Sequence, residues 1–200
     1  KKLLDYQILA LPGGFSFGDD LGAGKVLAVK IKYDLAEELS RFIEKGGLII
    51  GICNGFQALA KLGILPGTLF YNDSGRFEDR WVYLKINPDS PCVFTKGIEK
   101  LYLPARHGEG KFISGGEKVQ VVAQYVDEKG ELADYPFNPN GSEQNIAAIC
   151  DKSGRIFGIM PHPDAFLYPQ NHPRWTREKV LEGEGRKVFQ NAVDFAKNDL

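Results

Sequence analysis

Leu48-Ile49-Ile50-Gly51-Ile52-Cys53-Asn54-Gly55-Phe56-Gln57 is the stretch around which the rest of the chain is organised. An apolar, β-branched run of strand length ends in Gly-Ile-Cys-Asn-Gly, and helix-forming residues follow over 56–62. That order reads as strand, tight turn, helix. It is the cysteine version of the G-x-S-x-G nucleophile elbow, whose glycines two places either side of the nucleophile leave room for a strained turn. Cys53 is therefore the candidate nucleophile. It stands just before a helix, whose N-terminal N–H groups and dipole favour negative charge, first on a thiolate and then on an oxyanion. The competing reading, a small buried hydrophobe in a sheet-to-helix turn, is the weaker one for a cysteine in this glycine frame.

Working outward, residues 6–11 (Tyr-Gln-Ile-Leu-Ala-Leu) form an expected strand, stopped by Pro12-Gly13-Gly14. The glycine-rich residues 15–25 are expected to be loop, with backbone N–H groups free to serve an oxyanion. A phosphate loop is excluded: Gly22-Ala23-Gly24-Lys25 lacks the G-x-x-x-x-G-K-[ST] spacing, and Val26 stands where the hydroxyl belongs. The next helix is expected from Asp34, as its cap, with Glu37 as capping-box partner and apolar Leu35, Leu39, Phe42 and Ile43; Gly46-Gly47 ends it. Strands alternating with helices imply a mostly parallel sheet flanked by helices, an α/β fold whose ligands bind beyond the carboxyl ends of the strands. The Pro12-Gly14 turn and Cys53 both lie at such ends.

The middle reads differently. Residues 80–86, 101–103 and 119–126 have strand composition and are separated by turn-rich stretches, which predicts a small, largely antiparallel insertion packed on the α/β core. Asn138-Pro139-Asn140-Gly141-Ser142 is expected to be an ordered loop. Residues 146–150 and 155–160 form a strand pair turning through 151–154, and the second strand delivers Pro161-His162-Pro163-Asp164. Residues 168–175 are expected to be irregular, and a C-terminal helix to follow them, interrupted near Gly183 and Gly185 and resumed with Val188, Phe189, Ala192, Val193 and Phe195 on its apolar side.

Composition narrows the function. The 200 residues suit a single domain, and a net charge of −1 from 25 basic and 26 acidic residues gives no reason to expect nucleic acid or an anionic membrane surface as partner. Cys53, Cys92 and Cys150 are odd in number and far apart, which suits a reducing compartment and makes cytoplasm the expectation. No apolar stretch is long enough to span a bilayer, and no long signal-peptide core follows Lys1. The chain starts without Met, almost inside its first strand, so an upstream segment is expected to have been removed.

Cys53 at an elbow, His162 at the end of a later strand and Asp164 two residues on make a nucleophile, a base and an orienter. In an extended segment residues i and i+2 share a side, and the flanking prolines stiffen it. Such a triad performs acyl transfer. Oxyanion donors are expected from the Asn54 N–H and one N–H of Gly13-Gly14-Phe15. His107, in Arg106-His107-Gly108-Glu109-Gly110, competes for the base role, while His172 reads as ordinary loop. Three scattered histidines without H-E-x-x-H or a cysteine pair at zinc spacing predict no metal site.

Taken together, residues 12–19 (Pro-Gly-Gly-Phe-Ser-Phe-Gly-Asp), residues 51–57 and Pro161-His162-Pro163 resemble the class I, or triad, glutamine amidotransferases. More narrowly, residues 72–78 (Asn-Asp-Ser-Gly-Arg-Phe-Glu), 106–110 and 135–142 resemble the glutaminases of phosphoribosylformylglycinamidine synthase. The resemblance runs over nearly the whole chain. It implies a flavodoxin-like α/β fold that hydrolyses L-glutamine to glutamate and ammonia. A synthetase subunit or domain would take the ammonia to convert formylglycinamide ribonucleotide to the amidine. By motif Cys53 carries over as nucleophile and His162 as base, with Gly13, Gly14, Phe15 and Asn54 as oxyanion region. The resemblance also implies that Gln57, His107, Gly108 and Glu109 line the glutamine pocket. No cofactor is implied in this domain, ATP and Mg being used by the synthetase, and the partners extend to a small accessory subunit. Two departures stand out. The family usually has Glu where Asp164 stands, one methylene longer, and it begins with a further strand and helix. Both leave open a second reading, a catalytically silent homologue kept for contact with a synthetase.

Overall fold

The computed structural model describes residues 2–18 and 21–200. Lys1 and Asp19, the latter closing one of the stretches quoted above, lie outside the described residues, as does Asp20. In chain order the elements begin with β1 (Ile8–Leu11), α1 (Lys25–Asp34), α2 (Ala36–Glu44), β2 (Leu48–Ile52) and α3 (Asn54–Lys61). Next come β3 (Thr68–Phe70), β4 (Glu78–Ile86), β5 (Lys100–His107), β6 (Lys111–Ile113) and β7 (Gln120–Val126). The chain closes with β8 (Ile146–Cys150), β9 (Ile156–Ile159) and α4 (Gly185–Asn198).

The central strand is β2. All five of its residues are buried, which is why its sequence is an unbroken apolar run rather than an alternation. It pairs in parallel with β1 on one side and β9 on the other, so Leu11 and Gly51 are partners, as are Ile52 and Ile159. The carboxyl ends of three adjacent strands therefore lie side by side. Beyond β9 the sheet continues in the order β8, β7, β4, β5, each neighbour antiparallel to the last. Five of the seven strands thus run in one direction, with β8 and β4 opposed. The antiparallel segment is present as expected, but it joins the core edge to edge rather than packing on it: β4, β5 and β7 extend the core sheet itself, and among the described residues β3 and β6 form a separate ribbon. The sheet also curls. β1 and β5 are at opposite ends of the strand order, yet the His162 N–H, just beyond β9, donates to Pro104 O of β5 at 2.8 Å.

One expectation fails in the first third. Lys25 opens a helix, not more loop, and Asp34 is the last residue of α1 rather than the cap of α2. The signal was masked because Val26, Val29 and Ile31 are β-branched and interspersed with lysines, a strand-like composition. In the fold, Ala28 and Ile31 bury one face of α1, and Gly24 enters it at φ 74°, a left-handed conformation that glycine adopts without strain. Leu35, at φ −134°, breaks the chain between the helices. α2 then buries Leu39 and Phe42 as its pattern predicts. Among the described residues, no helix is long and apolar enough to cross a membrane.

Candidate active site

The turn after β2 holds Cys53 at φ 50°, ψ −104°. A non-glycine residue there stores about 1–3 kcal/mol of strain, sustained only where the surroundings over-determine it. They do so here. The Cys53 N–H donates to Ile159 O of β9 at 2.8 Å, and its carbonyl accepts Gln57 N–H at 3.0 Å as the first bond of α3. The two elbow glycines are needed for close approach. A Cβ on Gly55 would lie 1.9 Å from Leu11 O, and one on Gly51 would lie 2.8 Å from Gly55 O. The Cys53 thiol is buried and reaches Arg106 O, at the end of β5, at 3.6 Å.

His162 arrives from β9. Gly13 shows how near the two side chains stand: a Cβ built on it would meet His162 Cε1 at 2.6 Å and Cys53 Cβ at 3.4 Å. Cys53 and His162 therefore share one glycine wall, at the ends of β1, β2 and β9. The His162 Nδ1 lies 3.3 Å from Asp164 Oδ1. That is long beside the roughly 2.7–2.9 Å of a charge-assisted hydrogen bond, as the missing methylene predicts. Asp164 reaches the ring through a 3-10 turn over Pro163–Ala165, not through the alternation of an extended strand. The aspartate side chain is 41% exposed and the histidine only 11%.

The remaining predicted residues form the walls. Gly14 (φ 110°) and Phe15 (φ 52°) turn the chain after β1, and Phe15 rests on Phe77 with ring centroids 5.7 Å apart. The turn is tied to the elbow by Ser16 N–H donating to Asn54 Oδ1 at 3.2 Å. From there a chain of bonds runs inward: Asn54 Nδ2 donates to Gln57 Oε1, and Gln57 Nε2 donates to Glu109 O at 2.6 Å. The Glu109 carboxylate accepts Ala23 N–H at 3.2 Å. Gln57 and Glu109 thus hold walls together. Gly108 O accepts Asn72 N–H, and the Asn72 side chain donates to His107 O and accepts Gly110 N–H, clamping the loop after β5. His107 itself is buried at 1% exposure, its pKa pulled down to about 3, first by desolvation and then by the charge of His162. So weakly basic a ring is a poor proton acceptor, and His162, which meets Cys53 at Gly13, is the better placed base. Burial raises the Tyr125 hydroxyl, and the charge of Cys53 acts in the same direction.

The profile described as "CobB/CobQ-like glutamine amidotransferase domain" matches residues 1–196. The chain belongs to that family. The chain is 54% identical over 209 residues to the phosphoribosylformylglycinamidine synthase subunit PurQ of Dehalococcoides mccartyi, covering 98% of this chain and 82% of the relative. It is 44% identical over 225 residues to the subunit of the same name from Methanococcus maripaludis, covering 98% and 82%. Among solved structures, PurLQS from Thermotoga maritima superposes with a TM-score of 0.77 at 39% identity, covering 98% of this chain and 82% of that one.

In this amidotransferase, sequence reasoning missed Tyr125, Asn72 and Asn140 as parts of the site. The two asparagines stood in the stretches that carried the narrower resemblance, but nothing in their residue type marked them as clamps. Arg106 contributes a carbonyl, for which sequence offers no signal.

Proposed function

We propose that this amidotransferase hydrolyses L-glutamine to glutamate and ammonia and delivers the ammonia to a PurL-type synthetase, which forms formylglycinamidine ribonucleotide. The observation that carries the reading is the convergence of Cys53 and His162 on Gly13; the relatives' names supply the reaction. The Cys53 thiolate attacks the side-chain amide carbon of glutamine. Charge gathers on the amide oxygen, where the Asn54 N–H and one N–H of residues 13–15 can meet it, each such donor being worth about 10²–10³-fold in rate. Protonated His162 gives its proton to the leaving nitrogen, the C–N bond breaks and ammonia departs. A γ-glutamyl thioester remains on Cys53. Water, losing a proton to His162, attacks it; the C–S bond breaks, glutamate leaves, and the Cys53 thiolate and protonated His162 are restored. Asp164 orients the imidazole. ATP and Mg serve the synthetase, and a small accessory subunit completes the assembly.

Ammonia release from glutamine, measured with and without the synthetase, tests this. Expected is turnover that rises when the synthetase is added and disappears in Cys53→Ala, with covalent labelling of Cys53 by an electrophilic glutamine analogue. Intact protein that releases no ammonia even with its partner would refute the reading and leave a silent interaction domain.

A further inference from the structure

The stretches that separate this chain from the wider amidotransferase class, residues 72–78, 106–110 and 135–142, come together as one hydrogen-bonded block around His107. Asn140 is its hub, with 0% exposure. Its Oδ1 accepts the Ser142 N–H at 3.1 Å and the Ser142 hydroxyl at 2.7 Å, and its Nδ2 donates to Gly110 O at 2.9 Å. A backbone N–H can only donate and a carbonyl can only accept, so these partners fix which end of the amide is which. The nitrogen has two N–H groups; with one spent on Gly110 O, the other lies nearer His107 Nε2, at 3.0 Å, than Tyr125 Oη, at 3.2 Å, and is given to the ring. An amide nitrogen cannot accept a proton, so Nε2 must be bare and the His107 proton must sit on Nδ1.

We propose that Asn140 is a positioning residue for the hydrolysis: it locks His107 in the neutral Nδ1–H tautomer, so that an uncharged ring rather than an imidazolium stands on the β5 segment whose Pro104 and Arg106 carbonyls meet His162 and Cys53. This rests on the reading of the site given above. An imidazolium there would oppose the positive charge that His162 must carry when it protonates the leaving nitrogen. The arrangement is consistent with His107 being held neutral by burial. Its Nδ1 has no hydrogen-bond partner among the described residues, a buried donor left unspent in the wall of the site. The other titratable and charged groups brought to this wall are Glu78, the cross-strand partner of His107 on β4, with its ion-pair partner Arg80; Arg106 and Glu109 on the same segment; Tyr125 on β7; and Cys53 and the His162–Asp164 pair across the site.

The chain has three histidines, so ¹⁵N spectra of the imidazoles can be assigned by single substitutions. Expected is a His107 ring protonated on Nδ1, bare on Nε2, and unchanged between about pH 5.5 and 8.5, where an ordinary histidine titrates. A ring protonated on Nε2, or one that titrates in that range, would overturn the proposal without touching the glutaminase assignment. In Asn140→Asp a carboxylate faces Nε2, which then takes a proton. The kcat/KM profile for glutamine, measured with the synthetase present, is expected to move to lower pH by about one unit. In Asn140→Asp/His107→Gln the carboxylate stands without an imidazolium, and the profile is expected to move to higher pH than that of Asn140→Asp. A folded Asn140→Asp whose profile coincides with wild type overturns the positioning role, even where both proteins are active.

Discussion

Replacing His107 by Gln should remove a specific loss of stability in acid. The amide oxygen of Gln can take the place of Nε2 as acceptor of Asn140, but it cannot be protonated. In the wild type, burial lowers the His107 pKa from 6.5 to about 3. Between those values the unfolded chain binds a proton that the folded chain does not, so stability falls as pH falls, by about 1.4 kcal/mol per pH unit. From about pH 7.5, where neither state is protonated, to about pH 5, the accumulated loss is about 2 kcal/mol. Any folded value below about 4 gives the same figure, because pH 5 remains above it. For a chain of this size that corresponds to about 4–8 °C in Tm. Denaturant unfolding of both proteins at the two pH values isolates the effect, since the carboxylates contribute equally to each. Wild type minus variant should shift by about 2 kcal/mol in favour of the variant at the lower pH. A shift below about 0.5 kcal/mol would mean that His107 is readily protonated in the fold, and the account of its burial would be wrong.

Gly13→Ala drives a methyl to 2.6 Å from His162 Cε1, and since displacements of about 1 Å can cost about 10²-fold, kcat/KM for glutamine should fall by at least that factor while cooperative unfolding persists. Asp164→Glu should shorten the 3.3 Å contact to His162 and match or exceed wild-type kcat, whereas Asp164→Ala should lose only about tenfold because the carboxylate is exposed and loosely held; a drop in Asp164→Glu would show that the short acid is the fitted one. Gly55→Ala puts a methyl 1.9 Å from Leu11 O, a backbone clash that should cost about 3 kcal/mol or more by chemical denaturation, and near-native stability would contradict the close docking of α3 on β1.

What the sequence revealed tracks how local the physics was. β2 and its elbow were legible because a doubly covered strand must be apolar throughout and the turn after it needs its glycines. The β8–β9 hairpin was legible because Asp151 can seal its turn by itself, and it does: Oδ1 accepts the N–H groups of Arg155 and Ile156 while Oδ2 accepts Ser153. α1 was lost because its β-branched residues argue locally for a strand, and the packing of Ala28 and Ile31 overrode them. β3 and β6, three residues each, are too short to carry a period and exist by pairing with one another. In the site, Cys53, His162 and Gly13 could be named from sequence, since chemistry and close approach restrict the residue types. Tyr125 could not, because on β7 it has the composition of any buried strand residue.

The curl of the sheet explains why the back wall was hidden. The parallel half supplies the Gly13–Phe15 turn, Cys53 and the His162 imidazole at the ends of β1, β2 and β9. The antiparallel half bends round to close over them, and the two halves meet through backbone carbonyls of the second: Arg106 O takes the Cys53 thiol, Pro104 O takes the His162 N–H, and Glu109 O takes the Gln57 amide. A carbonyl is present whatever the side chain, so these contacts constrain the path of β5 without constraining its residue types. The constraint passes instead to the residues that hold that path. Asn72 fastens the loop by its backbone, and Asn140 fastens it at Gly110 O and the ring of His107. Two buried asparagines, each with both ends of its amide occupied, therefore set the position of the Cys53 thiol's acceptor, Arg106 O, which neither of them touches.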